Sequence, residues 1–199
     1  KLLKKNNIKQ TKISRVLLIN TPRRTLDQLD DFDDKSKYYM EVYPPLGLMY
    51  LSSALKKNIK DVKIKILDLH LEGIKRFQKN IKVDWLEMCD ELINDFKPDL
   101  IGLSVMFGAS FETAQKVGNN IKKKYPEVII VSGGVHTTGL AKEKGGELDF
   151  NDFICKKESE KHFVHLIKYL NNETDSVKGV IAKNNKYVRN SNDISEEID

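Results

Sequence analysis

Three stretches of this chain are apolar with almost no polar interruption: Val16 to Ile19, Leu100 to Val105 and Val128 to Val131. Strands that read this way are parallel strands covered by helices on both faces. A fourth stretch, Val62 to Leu67, alternates strictly as VKIKI and turns Lys63 and Lys65 to water, which predicts an edge strand. Asp152 to Cys155 predicts a short fifth strand. Between these runs the apolar period changes to that of a helix. Leu48, Leu51, Ala54 and Leu55 share one face after Pro44-Pro45, which can start a helix ending near Asn58. Trp85, Met88, Cys89, Leu92, Ile93 and Phe96 mark a second face, opened by the capping pattern Asp84-x-x-Glu87 and stopped by Lys97-Pro98-Asp99. Phe111, Ala114, Val117, Gly118 and Ile121 mark a third, with Ser110 placed to cap it and Lys122 to Lys124 at its negative end. Phe163, Leu166, Ile167 and Leu170 mark a helix from about Ser159 to Leu170, and Leu140 to Lys144 allow only a short one.

Strand and helix alternate throughout, so the pattern predicts an α/β domain. An edge second strand with first, third and fourth strands central requires the order 2-1-3-4-5: a flavodoxin-like, doubly wound, five-stranded parallel sheet. Its switch point lies between the first and third strands. The loops Ser104 to Ser110 and Ser132 to Thr138 then fall at carboxyl ends of strands, where such sheets bind ligands. Residues 1–14 read as a flexible lead-in, 15–172 as the Rossmann-like domain, and 173–199 as a β-hairpin turning near Asn184-Asn185 followed by the start of a linker. A segment of about twenty residues after Asn20, acidic from Asp27 to Asp34, is far longer than the usual 2 to 6 and marks a functional or irregular loop.

Composition narrows the picture. With 199 residues and 40% apolar content the chain supports one core and a small appendage. The net charge of +5 comes from Lys and Arg scattered among acids, not from a basic stripe interleaved with aromatics, so no nucleic-acid partner is expected. No run approaches the ~18 apolar residues of a membrane span, and no signal peptide is visible. Cys89 and Cys155 are far apart and not spaced for a metal, which fits a reducing, cytoplasmic setting. The opening Lys1 suggests a piece of a longer protein.

Several chemistries lack their residues. A phosphoacceptor domain of this strand order needs acids where Asn20, Thr21 and Ser104 stand. No G-x-G-x-x-G, P-loop or nucleophile elbow is present. What remains is a cleft floored by Ser104, Gly108, Ser110, Gly133 and Gly134, where bare backbone admits a bulky ligand and hydroxyls fix its polar edges. On the glycines alone, a tight strand-to-helix turn at Gly133-Gly134 is the favoured reading.

The ordered set RVLLINTP (15–22), YPPLGLMYLSSALKK (43–57), VKIKILD (62–68), PDLIGLSVMF (98–107), VIIVSGGVHTT (128–138), DFICKKESE (152–160) and GVIAKNNKYVRN (179–190) resembles the N-terminal cobalamin-binding domain of B12-dependent radical S-adenosylmethionine enzymes over nearly the whole chain. The family's Pro-Pro-Leu-Gly stands at Pro44 to Gly47 and its Gly-Gly-x-His at Gly133 to His136. Where the family has Gly-Glu-Gly-Glu, this chain has Lys157-Glu158-Ser159-Glu160, which narrows that corner and keeps the acids.

The resemblance implies cobalamin (vitamin B12) as cofactor, with the corrin across the carboxyl ends of the strands. Thr21, Val105, Met106, Phe107, Gly108, Gly133, Gly134, Val135 and His136 would lie beneath or beside it, with Glu158 at the last corner. Ser104 and Ser110 match hydroxyls that line the slot for the nucleotide tail, and Met106 or Phe107 would meet the lower face of a cobalt left without a histidine. Asp68-Leu69-His70-Leu71-Glu72-Gly73 matches D-x-H-x-x-G, which supplies a cobalt-binding histidine in methionine synthase and the B12 mutases. Here it follows the edge strand, about one strand spacing, ~5 Å, outside the cleft, so His70 reads as a turn or surface residue. His162 and His165 read as solvent-facing. No Cys-x-x-x-Cys-x-x-Cys is present, so the 4Fe-4S cluster, S-adenosylmethionine and the catalysis belong to a following radical SAM domain that the resemblance implies as partner. The competing readings are a docking module that has lost cobalamin and a flavin carrier, for which Pro22-Arg23-Arg24 is a poor phosphate loop.

Overall fold

The computed structural model describes residues 12–22, 43–140, 148–156 and 159–183, and the backbone of 194–195. The acidic loop segment, residues 141–144, Glu158, the Asn184-Asn185 turn and residues 1–11 of the lead-in lie outside the described residues.

The elements are β1 (Arg15–Asn20), α1 (Leu46–Asn58), β2 (Lys63–Asp68), α2 (Leu69–Gln78), α3 (Trp85–Phe96), β3 (Leu100–Ser104), α4 (Gly108–Lys124), β4 (Ile129–Gly133), α5 (Val135–Leu140), β5 (Phe153–Cys155), α6 (Ser159–Leu170), β6 (Val177–Lys178), β7 (Val180–Ala182) and β8 (Ile194–Ser195). The main sheet has the order β2-β1-β3-β4-β5-β7, parallel from β2 to β5. The unbroken VLLI of β1 is explained by its two faces. Val16 and Leu18 point into a core with Leu55 of α1 and Phe163 and Ile167 of α6, while Leu17 and Ile19 point into another with Met88 of α3 and Val117 and Ile121 of α4. β2 is the edge strand, with Lys63 and Lys65 exposed and Lys65 bonded to Asp95 at 2.7 Å.

The expected five-stranded parallel sheet is corrected to a mixed sheet of six. β7, the first arm of the expected hairpin, pairs antiparallel with β5. The reason is that β5 is wholly buried and needs partners for the backbone groups on both of its edges. β6 and β8 form a separate parallel pair. A second difference is α2, which sequence periodicity did not announce. Asp68 starts it, accepting from the N–H groups of His70 at 3.1 Å and Leu71 at 3.2 Å. The ordered fold also begins before β1: Ile13 is buried, and its N–H donates to Asn171 Oδ1 at 2.7 Å. Among the described residues no helix is long and apolar enough to cross a membrane.

Candidate functional site

Register brings Asn20, Ser104 and Gly133 side by side at the carboxyl ends of β1, β3 and β4. Beyond that line the three loops are tied to one another. Thr21, buried, donates from Oγ1 to Ser104 O at 2.6 Å, and the Val105 N–H donates to Gly133 O at 2.9 Å. Gly134 has φ +114°, and a Cβ there would lie 2.3 Å from Val105 O, so no other residue fits at this crossing. Thr137 and Thr138 of α5 donate from Oγ1 to Gly134 O at 3.1 and 2.9 Å, fixing the loop from the other side.

The second tie is aromatic. His136 meets Phe111 edge to face with ring centroids 5.3 Å apart, and a Cβ on Gly108 would lie 3.4 Å from the imidazole. His136 therefore holds the start of α5 against the start of α4. Upon this rigid base the side chains are apolar and uncovered: Met106 is 48% exposed, Phe107 47% and Val135 72%. Tyr43 ahead of α1 and Leu46, Met49 and Tyr50 in its first turns are all exposed, whereas further along the helix Ser53, Lys56 and Lys57 face solvent. Helices running antiparallel to their strands begin at the carboxyl end of the sheet, so most of the exposed large apolar groups gather there, Ile66 on β2 and Ile81 after α2 lying apart. Exposed apolar side chains gathered in this way mark a surface that is covered in use.

The B12 binding domain family matches residues 39–167, well over half of the chain. The chain belongs to that family. No curated protein matches it.

For a B12-binding domain the rim offers small residues and exposed apolar side chains, and the space a Cβ would take at Gly108, Gly133 and Gly134 is already met by His136, Ser159 and Val105. The family match supports cobalamin as the ligand. Among the described residues, the buried Thr113 Oγ1 on α4 has no hydrogen-bond partner. Thr21, Ser104, Val105, Met106, Phe107, Gly108, Gly133, Gly134, Val135 and His136 are all brought to this rim. Ser110 is not the helix cap. The helix begins at Gly108 after Phe107, and the buried Ser110 Oγ donates to Phe107 O at 2.9 Å. The three-residue strand-to-helix loop is shorter than expected, which draws Ser110 inside the first turn. His70 lies in the first turn of α2, half-buried, past the end of edge strand β2. The D-x-H-x-x-G match here is a helix cap, with Asp68 bonding main-chain groups. His165 is exposed, but His162 is half-buried and bonded, contrary to a solvent-facing role. Ser159 approaches the rim, its Oγ 3.1 Å from where a Gly133 Cβ would be. Cys155 lies beneath that corner; burial pushes its thiol up to about 12, so it is no nucleophile there. Sequence reasoning missed the interlock of Gly134 with Val105 and the pairing of Phe111 with His136. The first was signalled by the double glycine, the second by nothing local.

Proposed function

We propose that this domain binds cobalamin with its own base displaced and without a protein histidine on cobalt, as the accessory domain of a B12-dependent radical SAM enzyme. Methyl transfer is the reaction class the proposal favours for that enzyme. The observation that carries the reading is the match to the B12 binding domain family, with Met106, Phe107 and Val135 exposed at the carboxyl ends of the strands and His136 engaged with Phe111. Bound cobalamin supplies a cobalt centre that can carry a methyl group or an electron.

The protein's part is to orient and to bury. The interlocked loops present a preformed surface, so little ordering is needed on binding. Met106 and Phe107 exclude water from the face they cover, and the small residues let amide edges approach backbone donors. The exposed side of α1, apolar toward the rim, is suited to receive a radical SAM domain that would close the site from above. That domain would hold the 4Fe-4S cluster and S-adenosylmethionine. Two thiols that are both buried, Cys89 and Cys155, fit a cytoplasmic setting.

Titration of the chain with hydroxocobalamin tests the reading: a saturable change in the visible spectrum at tens of micromolar or below supports it. An unchanged spectrum favours the second reading, a docking module without cofactor. The observation on that side is Ser159 pressed against Gly133, where the family has glycine.

A further inference from the structure

The end of β5 is held by His162, which lies outside the stretches that carry the family resemblance. α6 buries Phe163, Val164, Leu166 and Ile167, and this leaves His162 half-buried over the edge where β5 meets the β6–β7 turn. Its Nδ1 lies 3.1 Å from the carbonyl oxygen of Lys156. A carbonyl only accepts, so Nδ1 carries the proton, as it does in both the imidazolium and one neutral tautomer. The N–H of the same Lys156 donates to Gly179 O at 2.9 Å. Gly179 has φ +69°, and a Cβ there would fall 2.3–2.4 Å from three atoms of the His162 ring. The imidazole thus lies directly against the Gly179 backbone while gripping the Lys156 carbonyl. One side chain ties together α6, the end of β5 and the turn between β6 and β7.

Lys156 is where β5 leaves the sheet, and Ser159, where α6 begins, abuts Gly133 on the rim. We propose that His162 is a positioning residue for the cofactor: by fixing Lys156 it fixes the connection from β5 to α6, and so the width of the rim between β4 and α6. This rests on the reading of the rim as a cobalamin site. It assigns no contact between His162 and the ligand.

Three substitutions in the intact chain separate the parts of the device. His162→Phe keeps a ring on Gly179 without the donor, His162→Asn keeps a donor without the ring, and Gly179→Ala displaces the ring without touching the histidine. Two quantities are read: the affinity for hydroxocobalamin and amide exchange in peptides spanning Phe153 to His162. His162→Phe is expected to weaken binding about tenfold, the loss associated with one hydrogen bond, and to speed exchange in those peptides alone. His162→Asn should recover most of both, and Gly179→Ala should speed exchange at the same place. Unchanged affinity and exchange in His162→Phe would overturn the proposal. So would losses in all three variants that merely follow their melting temperatures. If His162→Phe does not fold, Gly179→Ala alone decides, and unchanged exchange there is the contrary result. Should the unsubstituted chain take up no cobalamin, the reading of the rim fails. The exchange comparison would then still show whether His162 holds the connection.

Discussion

The two ends of one sheet have been built to opposite rules. At the amino end, carboxylates and amides bind the strands to the chain around them. Asp99 Oδ2 accepts from the Ser14 N–H and the Arg15 N–H at 2.8 Å each and from Ser14 Oγ at 3.1 Å. Asp152 pairs with Lys122 and accepts from the Ile130 N–H at 2.8 Å, and Asn171 ties down Ile13. At the carboxyl end the central strands β3 and β4 finish in Ser104 and Gly133, and Met106, Phe107 and Val135 stand exposed. The same strands serve both ends, so stability invested at one leaves the other free to be shaped by a ligand. Substitutions should therefore separate cleanly into those that cost folding and those that cost binding.

The largest effect on folding should come from Asp99→Ala, which orphans two backbone donors and a hydroxyl. A cost of about 3 kcal/mol is expected, with a fall in melting temperature of roughly 10 °C and cobalamin affinity within about twofold of the parent. Affinity lost more steeply than stability would break the division. Gly134→Ala should show the reverse bias. A side chain there meets Val105 O and demands a left-handed backbone, so the β3 and β4 loops must part. Cobalamin affinity should drop by tenfold or more while stability falls by only about 2 kcal/mol. Calorimetry and spectral titration of the two variants together measure the contrast.

Much of this fold was legible because burial writes itself into the sequence. Uninterrupted VLLI marks a central strand and VKIKI an edge, and with the equally unbroken third and fourth strands they require the order of the first five strands. β7 was read as an independent arm because a three-residue strand carries no sign of what lies beside it. α2 escaped because Leu69, Gly73 and Ile74 make too thin an apolar stripe, and its real signal, the Asp68 cap, was embedded in a motif that suggested metal chemistry. At the site, the glycines marked the rim but could not show that Gly134 crosses Val105. The role of His162 depends on Gly179, a partner distant in sequence that no local pattern reveals.

Smaller effects sharpen the contrast. Asp84 starts α3 by accepting from the N–H groups of Leu86 at 3.0 Å and Glu87 at 3.2 Å, and the Glu87 bond leads in holding its carboxyl below the ordinary value of 3.8. A group lowered in the folded state contributes above its ordinary value and loses that contribution as pH falls through the lowered one. Asp84→Ala should thus cost about 1 kcal/mol at neutral pH, and the gap from the parent should close as unfolding is measured at pH values falling below 3.8. Smallest of all, Cys89 and Cys155 should stay unlabelled by a thiol reagent at pH 8 until the chain unfolds, since burial raises both thiols. Rapid labelling of Cys155 in the folded chain would mean that the β5 corner opens.

Amide exchange with and without hydroxocobalamin bears most directly on the account. The prediction is added protection in peptides covering residues 104–110 and 133–138, and no change at residues 12–16 and 98–101 at the opposite end of the same strands. Protection confined to the amino end, or spread evenly over both, would contradict it.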